Sequence, residues 1–195
     1  MNAPARTARV KRATKESEID LELDLDGGEI SIETGVDFFD HMLHALALHG
    51  GMGMKLRARG DGMDNHHLIE DVGIALGRAI YEALGEKRGI VRFGSIMLPL
   101  DDALVAASID ISGRSYLNFR VEFMRNDLGA MPTEMVGEFF RALADHARIT
   151  VHLIAMHGHV AHHLCEATFK AFARAFAAAK IVESDAIVST KGLLE

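Results

Sequence analysis

His66-His67-Leu68-Ile69-Glu70 returns 96 residues later as His162-His163-Leu164-Cys165-Glu166, and the same offset places Arg78 on Arg174 and Ala79 on Ala175. One such segment on an amphipathic helix reads as a solvated polar face; two at a constant spacing point to a duplicated unit. The elements leading up to each copy repeat as well. After a frayed N-terminus, Ile19, Leu21, Leu23 and Leu25 alternate with Asp20, Glu22, Asp24 and Asp26, the period-two pattern of a half-buried strand. Gly27-Gly28 turns the chain into a short strand carrying Ile30 and Ile32. Phe39, Met42, Leu43 and Leu46 fall at helical spacing over 38–48, and Gly50-Gly51 stops that helix. Met52, Met54, Leu56 and Ala58 then form a strand, and 66–84 a second helix burying Ile69, Val72, Leu76, Ala79 and Ile80.

The second half follows the same order, with strands over 104–111 and 117–123, a helix over 134–145, a strand over 149–156 and a helix over 162–179. Its first helix matches the earlier one at an offset of 97, with His41 on Glu138, Leu43 on Phe140 and Leu46 on Leu143. The expected fold is α+β: two repeated halves, about 9–90 and about 100–182, each a small sheet packed by two helices, then a tail over 183–195. No Pro- or Ser-rich linker separates them, so residues 1–195 are expected to form a single compact domain.

With 195 residues, 49% of them hydrophobic, the chain has ample material for a core. A net charge of −7 without a run of Lys and Arg argues against nucleic acid or an anionic membrane as partner. No apolar stretch approaches the roughly 20 residues of a membrane span, and none follows the basic start, so a cytoplasmic protein is expected. The single cysteine, Cys165, excludes an intrachain disulfide and leaves metal binding to nitrogen and oxygen donors. Eleven histidines are then the anomaly.

Residues four apart on a helix share a face with Cβ atoms about 5–6 Å apart. His66 with Glu70 and His162 with Glu166 are therefore ready two-ligand chelates. Adjacent residues are rotated by about 100°, so each His-His doublet more naturally serves two ions than one. Taken together, His41, His66, His67, Glu70, Glu138, His162, His163 and Glu166 supply up to four protein ligands for each of two ions. Imidazole and carboxylate without thiolate suit Mn, Fe, Co, Ni or Zn, and six-coordinate room favours Mn. Asp40 is placed either to orient His41 or to serve the helix N-terminus. His44 and His49, without counterparts in the second copy, are expected to be exposed; His152, in an apolar strand, to be a core histidine. His146 sits where a cation suits a helix C-terminus, and His157 and His159 flank Gly158 within reach of the second doublet.

These motifs resemble the imidazoleglycerol-phosphate dehydratase family over nearly the whole chain. The resemblance is carried by Phe39-Asp40-His41-Met42-Leu43, by both HHxxE segments, and by Lys87-Arg88-Gly89-Ile90-Val91-Arg92-Phe93-Gly94. Leu98-Pro99-Leu100-Asp101-Asp102-Ala103-Leu104, Asp110-Ile111-Ser112-Gly113-Arg114 and Ser189-Thr190-Lys191-Gly192 complete it. It implies the duplicated ribosomal-protein-S5-domain-2-like fold and a hydro-lyase that converts imidazole glycerol phosphate to imidazole acetol phosphate in histidine biosynthesis. It further implies two Mn2+ ions per active site holding the substrate ring, and a cage-like homo-oligomer of 24 subunits whose sites are shared between subunits. By motif, Glu16 becomes the candidate for substrate contact and proton transfer, and Arg92, Arg114, Ser189, Thr190 and Lys191 match phosphate-binding positions; Glu70 and Glu166 join Glu16 as catalytic candidates, and Lys170, one turn after Glu166, joins the substrate-binding ones.

Three departures from the family pattern stand out. Glu138 occupies a position where many relatives have a histidine ligand, Gly158-His159-Val160-Ala161 lacks the usual asparagine, and Leu68-Ile69 replaces Thr-Val. Two other readings share the same residues: a di-metal phosphohydrolase, and a metal-stapled assembly protein without catalysis.

Overall fold

The computed structural model describes residues 5–63 and 65–194. The first half runs β1 (Thr7–Ala13), β2 (Ser17–Asp24), β3 (Ile30–Glu33), α1 (Asp37–Gly50), β4 (Gly53–Gly60) and α2 (His66–Leu84). The second runs β5 (Phe93–Leu100), β6 (Ala103–Asp110), β7 (Tyr116–Arg120), the small pair β8 (Asp127–Leu128) and β9 (Met131–Pro132), then α3 (Glu134–Ala147), β10 (Thr150–His157) and α4 (Ala161–Ala179). The sheets have orders β1-β2-β4-β3 and β5-β6-β10-β7, antiparallel except for the last strand of each, which runs parallel to its neighbour. Identical order and sense in both sheets is the duplication at the level of topology, with β8–β9 as an addition to the second copy.

β1 and β5 correct the sequence reading, which took residues before 19 as frayed and assigned no strand over 93–100. Both are edge strands with blurred alternation. β1 buries only Val10 fully and turns Arg12 inward, while β5 carries Gly94 and, facing outward, Pro99, which an edge strand tolerates.

Each sheet turns its apolar face onto its own helices, and the helices of the two halves then pack on one another, α1 on α4 and α2 on α3. The buried residues form one cluster centred on Phe39, Phe139, Phe140, Phe169, Phe172 and Phe176, with ring centroids 4.9–6.0 Å apart. Edge-to-face and offset pairs of this kind add to area burial.

Close approach of α2 and α3 depends on Gly73 and Gly77, one turn apart. A Cβ at Gly73 would lie 2.7 Å from the Phe139 carbonyl, and one at Gly77 2.6 Å from that of Leu143. Gly→Ala inside a helix ordinarily stabilises by about 0.5–1 kcal/mol, but a backbone oxygen cannot yield as a flexible side chain does. Gly73→Ala is accordingly expected to destabilise the fold by about 1–3 kcal/mol, read as a lower urea midpoint. A midpoint that rises would show that α3 has room to move.

The outer faces of the sheets differ. On the first, Arg9 pairs with Asp20 and Glu22 at 3.0 Å each, and Lys55 with Glu29 at 2.8 Å. The second exposes Phe93, Met97 and Tyr116, with Met156 exposed near its rim. His152 belongs to this outer face, where the Asn118 amide donates to its Nδ1 at 3.3 Å; it is not the core histidine that the sequence suggests. Val151 and Leu153 point inward, so pleating sends His152 out, and apolar outer neighbours had masked the alternation. Among the described residues, no helix is long and apolar enough to cross a membrane.

Candidate active site

α1 and α4 bring His41, His162 and Glu166 together, with one donor atom from each lying within 4.8 Å of the others. His162 Nε2 is 3.4 Å and His41 Nε2 3.9 Å from Glu166 Oε2, while Lys170 Nζ holds the opposite oxygen, Oε1, at 2.6 Å. Burial alone would raise the Glu166 carboxyl; the Lys170 hydrogen bond and charge, helped by His41 and His162, outweigh it and keep Glu166 below its ordinary value. Asp40 does not orient His41. It accepts the Thr34 backbone N–H at 3.0 Å and the Thr34 hydroxyl at 2.5 Å, closing the turn into α1. His49, expected to be exposed, is half-buried near Lys170, Arg174 and Glu166. Burial and then the two cations hold it below the usual histidine value. Its place two turns after His41 on the same helix was the available signal. Cys165 is buried, and burial pushes its thiol far up, so it is not a ligand.

The related group on α2 and α3 is built differently. Arg141 Nη2 donates to Glu70 Oε1 and Arg141 Nε to Glu138 Oε2, both at 2.7 Å, so a guanidinium links the two carboxylates. His66 starts α2 one turn before Glu70.

The second histidine of each doublet turns away from the first, as the 100° rotation requires, and meets a carboxylate. His163 Nδ1 is 2.7 Å from Asp102 Oδ1, and its Nε2 is 3.5 Å from Asp101 Oδ2. Asp102 also accepts the His159 and Val160 backbone N–H groups at 2.7 and 3.0 Å; these bonds, then His163, hold its carboxyl well below the usual range. His67 Nδ1 is 3.3 Å from Asp61, and its Nε2 is 3.8 Å from Glu16 Oε2. The carboxylate on Nδ1 fixes the ring, the usual arrangement behind a metal-bound imidazole, and each Nε2 faces a second carboxylate, Asp101 or Glu16. His157 and His159 meet each other, ring centroids 5.0 Å apart.

Glu16 sits on the β1–β2 turn, whose geometry is fixed from below. Thr14 Oγ1 accepts the backbone N–H groups of Glu16 and Ser17 at 3.1 and 3.0 Å. Buried Asp71, next to Glu70, accepts the Ser17 hydroxyl and two Arg12 N–H groups at 2.9 and 2.7 Å. Arg12 turned inward is thus the half-buried partner of Asp71, and the pair ties the Glu16 turn to α2.

Arg92, Arg114, Ser189, Thr190 and Lys191, scattered in sequence, line one cavity of about 820 Å³ together with Phe93, Val188, Leu193 and Leu194. Arg92 is already engaged. It donates to both Asp110 oxygens at 2.7 and 3.2 Å and to the Val188 carbonyl at 2.6 Å, at a left-handed φ of 77° that a side chain rarely adopts. Among the described residues, Arg114 and Lys191 have no ion pair and are the cations open to a ligand. The tail that carries Ser189 to Lys191 is laced to the 85–92 loop through Gly89 N–H to Ala186 O and Arg88 to Asp185 O. A Cβ at Gly89 would collide with the Ser184 carbonyl, which accounts for glycine there.

A family model described as imidazoleglycerol-phosphate dehydratase matches residues 34–176. Proteins of that name from Caldicellulosiruptor saccharolyticus and Acidiphilium cryptum are 50% and 53% identical to the chain; each alignment covers 97% of this chain and 99% or 100% of the relative. The crystal structure of the Staphylococcus aureus dehydratase superposes with a TM-score of 0.83 at 34% identity, covering 91% of this chain and 99% of that one. The Pyrococcus furiosus enzyme does so with 0.83 at 38%, covering 95% and 100%. With the family match running through both histidine doublets, and half of all residues shared end to end with named members, the chain belongs to the imidazoleglycerol-phosphate dehydratase family.

Proposed function

We propose that this chain removes water from imidazole glycerol phosphate to give imidazole acetol phosphate in histidine biosynthesis, using divalent cations bound by its histidines and carboxylates. The observation that carries the reading is the convergence of His41, His162 and Glu166 from two helices on one point. Donors on one ion with bonds of about 2.1 Å lie roughly 3–4.2 Å apart, and the 3.4 and 3.9 Å separations here already fall in that span. The donor set, nitrogen and carboxylate oxygen with no thiolate, suits Mn2+.

His41, His162 and Glu166 would hold one ion, and His66, Glu70 and Glu138 a second. His67 and His163 point away from these groups and would complete the sites of neighbouring copies. Bound cations would favour the imidazolate form of the substrate ring, whose electrons help expel the side-chain hydroxyl. Glu16, anchored beside His67, moves the proton at the adjacent carbon. Lys170 keeps Glu166 ionised, and Arg114 and Lys191 take the phosphate with Ser189 and Thr190. The working form we propose is a cytoplasmic homo-oligomer, of 24 copies as the resemblance implies. His67 and His163, turned away from these two groups, and the apolar outer face of the second sheet support assembly.

The test is to incubate Mn2+-loaded protein with imidazole glycerol phosphate and follow imidazole acetol phosphate, with a chelated sample beside it. Metal-dependent product is expected. Release of inorganic phosphate instead would point to a phosphohydrolase, and no turnover by a fully loaded oligomer would leave only a stapled assembly.

A further inference from the structure

The two cation sites proposed above face different competition. On α3, Glu138, Arg141 and Asp145 follow one another at spacings of three and four residues and share a helix face. The close approach at Gly73 and Gly77 brings Glu70 of α2 against that face. Arg141 then spans three carboxylates: Nη2 to Glu70 and Nε to Glu138 at 2.7 Å, with Nη1 at 3.6 Å from Asp145. In the other half, the position equivalent to Arg141 at the offset of 97 is His44, which is exposed. There Lys170 takes only Oε1 of Glu166, leaving Oε2 facing His41 and His162. One carboxylate pair is closed by an internal cation; the other site is open.

We propose that Arg141 is the built-in counter-cation of Glu70 and Glu138, so that a divalent ion must displace it and the two cation sites fill in order, the His41–His162–Glu166 site first. The inference rests on the metal-dependent reading. At the offset of 97, Glu138 falls on His41, so a carboxylate stands where the other half has an imidazole, and the added negative charge is balanced by a guanidinium that bonds it directly. Asp145 is the acceptor to which Arg141 transfers when it leaves, since Nη1 already leans toward it.

Metal binding tests this without reference to turnover. The purified full-length oligomer, stripped with chelator, is titrated with Mn2+ while free ion is counted by its electron paramagnetic resonance signal. Wild-type protein is expected to bind two equivalents per chain with dissociation constants at least tenfold apart. Arg141→Gln, which keeps a polar amide and the helical backbone but is shorter and uncharged, is expected to tighten the weaker step about tenfold and leave the tighter one unchanged. Arg141→Lys, a point charge that cannot fork between both carboxylates, is expected to lie between them. Two equal steps unaffected by Arg141→Gln, or a weaker second step in that variant, would overturn the role of Arg141 and leave the metal-dependent reading standing. Absence of any Mn2+ uptake would overturn both.

Discussion

Glu166→Gln is expected to lower turnover by about a thousandfold, with loss of Mn2+ from the site it shares with His41 and His162. The amide keeps the shape of the side chain but gives up the charge, so Oε2 no longer draws a cation between the two imidazoles 3.4 and 3.9 Å away. It also strips the counter-charge from half-buried Lys170, whose Nζ lies 2.6 Å from Glu166, so that its ammonium repels an incoming cation. Single-turnover kinetics with imidazole glycerol phosphate, read beside metal content, give the check. Turnover within tenfold of wild type at unchanged metal content would remove Glu166 from the ligand set. The variant should fold, because the buried part of α4 is carried by Leu164, Phe169, Phe172 and Phe176 rather than by the carboxylate.

Glu166 was legible in the sequence because a helix turns spacing into geometry: four residues along is one turn up the same face. The same rule separated each doublet into two directions. β1 and β5 were illegible because edge strands need satisfy only one neighbour, so Arg12 could turn inward to Asp71 and Pro99 could sit in a strand. The counter-charges were illegible for another reason. Asp102 reaches His163 across 61 residues, and Arg141 reaches Glu70 across 71, so no local pattern announces either pair. Asp102 appeared in the sequence only as part of a motif; the structure gives it a physical task, holding a ring and the entry to α4 through three bonds at once. Arg141 carried no motif signal at all. Its importance comes from helix packing, which two glycines on α2 permit.

Arg114→Ala and Arg92→Ala are expected to separate ligand binding from architecture in the cavity proposed to take the phosphate. Arg114 lines the cavity without an ion partner among the described residues, so its guanidinium is available to a phosphate. A charged hydrogen bond is worth about 1.5–3 kcal/mol, and Arg114→Ala should raise KM by roughly ten- to a hundredfold, with kcat and the unfolding midpoint little changed. Arg92 has its N–H groups committed to Asp110 and to the Val188 carbonyl. It therefore holds the tail segment bearing Ser189, Thr190 and Lys191 against β6. Arg92→Ala should raise KM by a comparable factor and also cost about 1–3 kcal/mol of stability, because Asp110, half-buried, loses its partner. Limited proteolysis should cut within 183–194 in that variant and not in Arg114→Ala. An Arg92→Ala protein with a wild-type midpoint and an intact tail would mean that Gly89 and Arg88 hold the tail unaided, and that Arg92 serves the phosphate alone.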